Sequence, residues 1–313
     1  MAMSEVERAF VSATYTLDEL RYQINAEFRP AIEILPDKDA HTRIGCLRAL
    51  SIRAVAWLAT FRRVDRGEHL QAHFAGVRSL LETLVDMMLV SQDPTDTSAM
   101  QMYAWEQSAL LEHMKKCEDY YTKASGRTIL MASGPSVRYT DWIVKNKDTV
   151  LALRKKYLGA TTHPNRNRWT GKKAKKSPKT PRGAPSRGGA NRTLYDDIEQ
   201  VETEALTKDS RRSETNPLGV YPLGKTHTLL YSPLNWGTHG STLALLGRLD
   251  TDGVTRTAAA AHLFAAELTI HIFKILLREA GLTDQLDALR ATAERVLNRF
   301  APLIAAGHVG IVL

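Results

Sequence analysis

The chain has 313 residues, 43% of them hydrophobic and 24% charged, which is enough to bury one large core or two ordinary ones and excludes disorder of the whole chain. Aromatics make up only 7%, while Ala, Leu and Arg crowd long periodic stretches, so an all-α fold is predicted in preference to a sandwich or barrel. Lys and Arg number 42 against 34 Asp and Glu, a net charge of +8 that points toward nucleic acid or an acidic surface as partner.

Glu5 and Glu7 stand where a signal peptide would have its apolar core, so no leader is expected. From 5 to 27, Val6, Phe10, Ala13, Leu17, Leu20 and Ile24 recur at steps of three or four, an amphipathic helix that Pro30 and Pro36 interrupt. A second helix is predicted over 40–63 on the stripe Ile44, Leu47, Ala54, Val55 and Leu58. The third has the clearest seam: Leu70, Phe74, Val77, Leu81, Leu84 and Met88 alternate steps of four and three, a pattern that packs against neighbouring helices and ends near Pro94. Residues 95–123 read as another long helix and 126–135 as a loop, and Asp141 is a candidate N-cap for a short basic helix reaching Tyr157.

Farther on, 194–208 reads as helix, 217–224 as irregular, and 226–236 as a helix or tight turn. Residues 255–278 are apolar on nearly every face, with Ala258, Ala261, Ala265, Leu268, Ile272 and Ile275 in helical order. Glu267, His271 and Lys274 interrupt that stretch, so a central buried helix is predicted in place of a membrane span. The last helix, over 284–304, packs through Leu289, Ala293, Val296 and Phe300. No stretch reads as apolar for the ~20 residues that a span requires. The two cysteines, Cys46 and Cys117, form no Cys-x-x-Cys pair, which argues against a disulfide framework or thiolate metal site and points to a reducing, cytoplasmic compartment.

The positive charge is local. Between His163 and Arg192 stand ten Lys and Arg, among them Lys172, Lys173, Lys175 and Lys176, with no Asp or Glu; the rest of the chain holds 32 Lys and Arg against 34 acids. Four prolines and four glycines share the segment, a mix that buries too little apolar area to offset its ordering entropy. A flexible basic loop is therefore expected over 163–192, interrupting one helical domain made of 1–162 and 193–313. Such a loop suits nucleic-acid phosphates; its plain alternative is a solubilising insertion. Trp169 stacks on a base in the first reading and anchors the loop to the core in the second.

Two further groupings carry chemistry. Arg78 and Glu82 lie at i and i+4 beside the best seam, a surface pair in the plain reading and a candidate site if their flank is buried. Tyr231, Asn235, His239 and Ser241 cluster around Gly237 and Gly240, where a lone histidine is ordinarily structural but flexible glycines let its backbone approach a ligand. Together with Trp169-Thr-Gly-Lys172, these groups resemble a bacterial family of helical proteins with Arg-x-x-x-Glu, Trp-Ser-Gly and Tyr-x-x-x-Ser-x-x-x-His-Gly-Ser elements in this order. That family in turn resembles the HEPN group of helical nucleotide- and RNA-associated domains, several of them ribonucleases of toxin or antiphage systems.

The resemblance runs from Leu70 to Leu277. It implies that Arg78, Glu82, Tyr231 and His239 converge in one pocket between helices, with His239 as general acid or base, Arg78 stabilising phosphate charge and Glu82 orienting Arg78. The chain departs from the family at Asn235, where Ser is usual, and in the length of its basic insertion. HEPN ribonucleases place four to six residues between an Arg and a following His; Arg63 with His69 and Arg256 with His262 fit that spacing but carry Val64 and Thr257 where Asn, Asp or His usually follows, and they read as chance matches.

No phosphate-cradling glycine loop or nucleophile elbow is present in the sequence. His262, Glu267 and His271 do not match metal-ligand spacing and read as core residues. Neither metal nor cofactor is expected. The leading expectation is thus a cytoplasmic, HEPN-like protein that binds RNA ahead of DNA, with a metal-independent ribonuclease as the form any catalysis would take. The alternative is a non-catalytic helical interaction module whose Arg, Glu, Tyr and His tie helices together. A homodimer is compatible with either.

Overall fold

A computed structural model describes residues 3–35, 39–64, 69–123, 139–159, 169–170, 193–209, 223–227 and 250–309. Among them the regular structure is helical throughout, with no strand. The chain divides into two compact units, Met1–Pro94 with Tyr195–Leu313, and Thr95–Leu194. The second unit is thus an insertion that starts at Thr95, well before the basic segment.

In the first unit, α1 (Glu5–Gln23) opens on Ser4, whose hydroxyl accepts from the Glu7 N–H while the Glu7 carboxylate accepts from the Ser4 N–H. This reciprocal cap satisfies two backbone donors that a helix start leaves orphaned. Pro30 does not stop the helix, contrary to the sequence reading. The chain passes through a wider turn, Ile24–Phe28, in which the Arg29 N–H reaches back five residues to the Ile24 carbonyl, and continues as α2 (Arg29–Glu33). The wider turn moves a backbone carbonyl out of the way of the proline ring.

Thr42 caps α3 (Arg43–Arg63) by accepting from the Gly45 N–H at 3.2 Å. The apolar seam forms α4 (Leu70–Gln92), followed after the insertion by α7 (Leu194–Asp209) and α8 (Leu223–Thr226). Asp250 caps α9 (Thr251–Glu279) at Gly253, a turn earlier than predicted. Gly281, at φ +69°, turns the chain into α10 (Thr283–Ala305): its N–H donates to the Arg278 carbonyl and that of Leu282 to the Leu277 carbonyl. The left-handed backbone at that position suits glycine.

α9 is the hub, packed against α1, α3, α4 and α10. Arg43 at the start of α3 pairs with Glu279 at the end of α9 at 3.2 Å, while Phe61 near the end of α3 touches both His73 and His262. α3 therefore runs opposite to α4 and α9, which run parallel to each other. α10 runs opposite to α1, tied by Arg299 to Glu19 and by Thr292 and Arg295, which both donate to the Gln23 amide oxygen. α3 and α9 are long and apolar enough to cross a membrane by length and composition, which revises the expectation that no stretch would be. Most of α9's apolar surface is covered by its neighbours.

The unit Thr95–Leu194 holds α5 (Thr97–Lys123) packed against α6 (Tyr139–Leu158). α6 starts two residues before Asp141, which lies in its first turn and is not its cap.

Candidate functional site

Arg78 and Glu82 sit one turn apart on α4, with Arg78 Nε donating to Glu82 Oε1 at 3.0 Å. Their side chains are 27% and 34% exposed, so the pair lies at the edge of the packed region and neither end is sealed from water. At about 100° per residue, both are turned away from the side of α4 that carries His73.

On α9, Glu267, His271 and Lys274 share one side of the helix in the same way, turned from His262. The parallel course of α4 and α9 sets the two groups at matching levels. Arg78 lies five residues beyond His73 and Glu267 five beyond His262; Glu82 and His271 each lie nine beyond. Burial pushes the His271 imidazole down to about 4, with the neighbouring Lys274 ammonium adding to the effect. His271 is thus a neutral imidazole near pH 7. Lys274 and Asp86 are buried as well, adding two ionisable side chains on the same two core helices.

A second cluster lies in the centre of the same unit. His73 and His262, both at 0% exposure, stand with ring centroids 5.0 Å apart, and Phe10 and Phe61 contact both rings. His262 Nδ1 is 2.8 Å from the Ala258 carbonyl and its Nε2 3.4 Å from the Thr14 hydroxyl. Burial pushes the His262 imidazole down to about 4, against the Ala258 carbonyl, which favours its protonated form. With Nδ1 as donor to that carbonyl, Nε2 carries no proton, and the Thr14 hydroxyl beside it donates to the Phe10 carbonyl at 3.0 Å. Full burial removes His262 from contact with any substrate arriving from solvent, so the Arg256–His262 spacing has no catalytic counterpart in space. His73 stands three residues after Leu70 and four before Val77, and that position on the seam was the available sign of its burial.

In the other unit, Arg154 of α6 is 2% exposed. Its Nε donates to the Ser108 hydroxyl and its Nη2 to Glu112 Oε1, both at 3.3 Å. Burial pulls the Glu112 carboxyl upward, but Lys115 and Arg154 outweigh it and hold the group below its ordinary value. Trp169 is 5% exposed, so its indole is packed away from solvent.

Of the residues the sequence singles out, the structure describes Arg78, Glu82 and Trp169. Arg78 and Glu82 pair with each other, and Trp169 lies in the other unit. His239, Tyr231, Asn235, Ser241, Lys172, Lys173, Lys175 and Lys176 lie outside the described residues. Among the described residues no three His, Cys, Asp or Glu side chains converge in a group able to hold a metal ion. No protein-family model, curated protein or solved structure matches the chain.

Proposed function

We propose that this chain is a cytoplasmic, HEPN-like protein that associates with nucleic acid, RNA ahead of DNA. The observation that carries the reading is the run of ten Lys and Arg with no Asp or Glu between His163 and Arg192. An uncompensated charge of that density attracts phosphate backbones and releases their counterions on binding. The catalytic form of the proposal is a metal-independent ribonuclease of a toxin or antiphage system. His239 transfers the proton, Arg78 meets phosphate charge, and Glu82 holds Arg78 by the 3.0 Å bond that fixes its guanidinium. The partial exposure of the pair supports that role, because an arginine sealed in the core has no access to phosphate.

The test is a salt titration of the protein against labelled single-stranded RNA and duplex DNA, followed by a gel of the recovered nucleic acid. Binding that weakens with salt supports association, and fragments absent with a His239→Ala variant of unchanged melting temperature support catalysis. Neither binding nor fragments, with His239→Ala strongly destabilised, favours the non-catalytic interaction module, in which these side chains only tie helices together.

A further inference from the structure

α3 and α9 are both apolar enough to span a membrane, yet neighbours cover most of α9 and less than half of α3. The uncovered part of α3 is patterned. Arg48, Ile52, Val55, Ala59 and Arg62 recur at steps of four, three, four and three, the repeat that buries α4, here turned outward with Ile52 60% exposed. On α1, Val11, Tyr15, Asp18 and Tyr22 repeat the same steps, opposite that helix's buried stripe and with both tyrosines exposed. Each set stays within about 80° around its helix.

The two seams are neighbours on one surface. Phe10 and Phe61 meet the same two imidazoles, which sets α1 beside α3 at that level, and Asp18 of one seam pairs with Arg62 of the other at 3.5 Å. Arg21 holds the same carboxylate at 2.8 Å. Phe28, just beyond α1, meets Phe273 of α9, so α1 follows the course of α9 and runs antiparallel to α3. Val11, Tyr15, Tyr22 and Ile52 are four of the nine exposed large hydrophobic side chains among the described residues.

The charges of this face are unequal. α3 holds five Arg and no Lys, Asp or Glu. Arg43 is paired with Glu279 and Arg62 with Asp18, but among the described residues no carboxylate lies within ion-pair distance of Arg48 or of Arg63, one position beyond the seam. Tyr with Arg in place of Lys is the composition of a protein interface, and a repeat of three and four takes the ridges of another helix. A bilayer suits the face badly, because the Asp18–Arg62 pair crosses its middle, where acyl chains would leave it dry. A second copy would meet it with the same arginines. We infer that the outward seams of α1 and α3 are the docking surface for an acidic amphipathic helix of a partner protein. Its apolar ridge lies against Tyr15, Tyr22 and Ile52, and its carboxylates reach Arg48 and Arg63. The inference does not depend on the nucleic-acid reading.

The experiment titrates the full-length chain by fluorescence anisotropy with three labelled three-heptad peptides: a Leu and Ala seam flanked by Glu, the same seam flanked by Lys, and the Glu composition in scrambled order. The scrambled peptide reads the pull of acid on Thr95–Leu194, which holds 20 of the 42 Lys and Arg but 7 of the 34 Asp and Glu, a net charge of +13, leaving −5 on the remainder. The Glu seam is expected to bind more tightly than either other peptide, by roughly fivefold to tenfold over the Lys seam, the contribution of two exposed ion pairs. Arg48→Glu with Arg63→Glu is expected to remove the preference for Glu over Lys. Tyr15→Ser with Ile52→Ser, at exposed positions that leave the melting temperature unchanged, is expected to bring the Glu seam down to the level of the scrambled peptide.

Equal binding of seam and scrambled peptides, or a preference that survives both variants, overturns the inference and leaves the nucleic-acid reading untouched. So does the absence of that preference together with a loss, in Tyr15→Ser with Ile52→Ser, of a homodimer in sedimentation, of binding to phosphatidylglycerol vesicles or of binding to oligouridine. The face then serves a second copy, a bilayer or a strand.

Discussion

In the unit formed by Met1–Pro94 and Tyr195–Leu313, the central polar groups are two imidazoles enclosed by phenylalanines, while in Thr95–Leu194 the corresponding interior group is Arg154, an ion held by Glu112. A neutral imidazole joins an apolar core at the cost of one or two hydrogen bonds and stays there only while it is unprotonated. A guanidinium keeps its charge at any accessible pH and stays only while its carboxylate partner does. The net charges of the units follow the same division, −5 against +13. Loss of stability is therefore expected to concentrate in the first unit and loss of nucleic-acid binding in the second.

The largest effect is expected at Phe61, 2% exposed and in contact with both core histidines. Phe61→Ala is expected to cost about 3–5 kcal/mol, read from the urea midpoint, through the cavity it leaves. The salt slope of RNA binding should stay at its natural value in conditions where the variant is folded. A changed slope breaks the comparison, because the two units would then not act separately.

Acid comes next. His262 and His271 protonate only near pH 4 in the folded chain, against 6.5 as the ordinary value. Between those values the unfolded chain takes up protons that the folded chain refuses, so stability is complete above about pH 6.5, falls as pH drops toward 4, and levels below it. The loss amounts to as much as about 3 kcal/mol for each histidine. Urea melts at a series of pH values check it. His262→Asn, whose amide takes the place of Nδ1, is expected to lower stability at pH 7 and to flatten the acid limb by about half. An unaltered acid limb places the sensitivity elsewhere.

Arg154→Met is the counterpart in the basic unit. It leaves the Ser108 hydroxyl and Glu112 without their shared donor, and a cost of about 1–3 kcal/mol is expected. The Glu112 carboxyl should titrate higher, since one of the two cations that depress it is gone, and carbon-detected NMR of the side chain reads that shift directly. No upward movement means that Lys115 alone sets the value.

Much of the fold was legible because helical period reports burial directly. All six positions of the α1 stripe, Val6 through Ile24, are buried, and so are Leu70, Phe74, Val77, Leu81 and Leu84 on α4. Period names a face but not its neighbour. His73 and His262 meet across 189 positions of sequence, a contact fixed by the parallel course of α4 and α9 and by nothing local. The same limit hid the matching levels of Arg78 and Glu82 with Glu267 and His271. The unit boundary at Thr95 left only Pro94 as its mark, and one proline marks a turn as readily as a domain. The basic run was easy to see because it is contiguous in sequence.

The smallest effect on stability is expected at Arg78, and it decides most about function. An i, i+4 pair that is about one-third exposed is screened by water, so Arg78→Ala should cost no more than about 0.5 kcal/mol. If RNA cleavage is lost at that cost, the guanidinium acts on phosphate and the asymmetry between the units separates chemistry from strand binding: the site lies in the helical unit and the grip in the basic one. If Arg78→Ala instead destabilises the chain as much as a core truncation does, Arg78 is a structural tie like Arg154. The first unit then keeps its polar side chains for packing alone, and the interaction-module reading prevails.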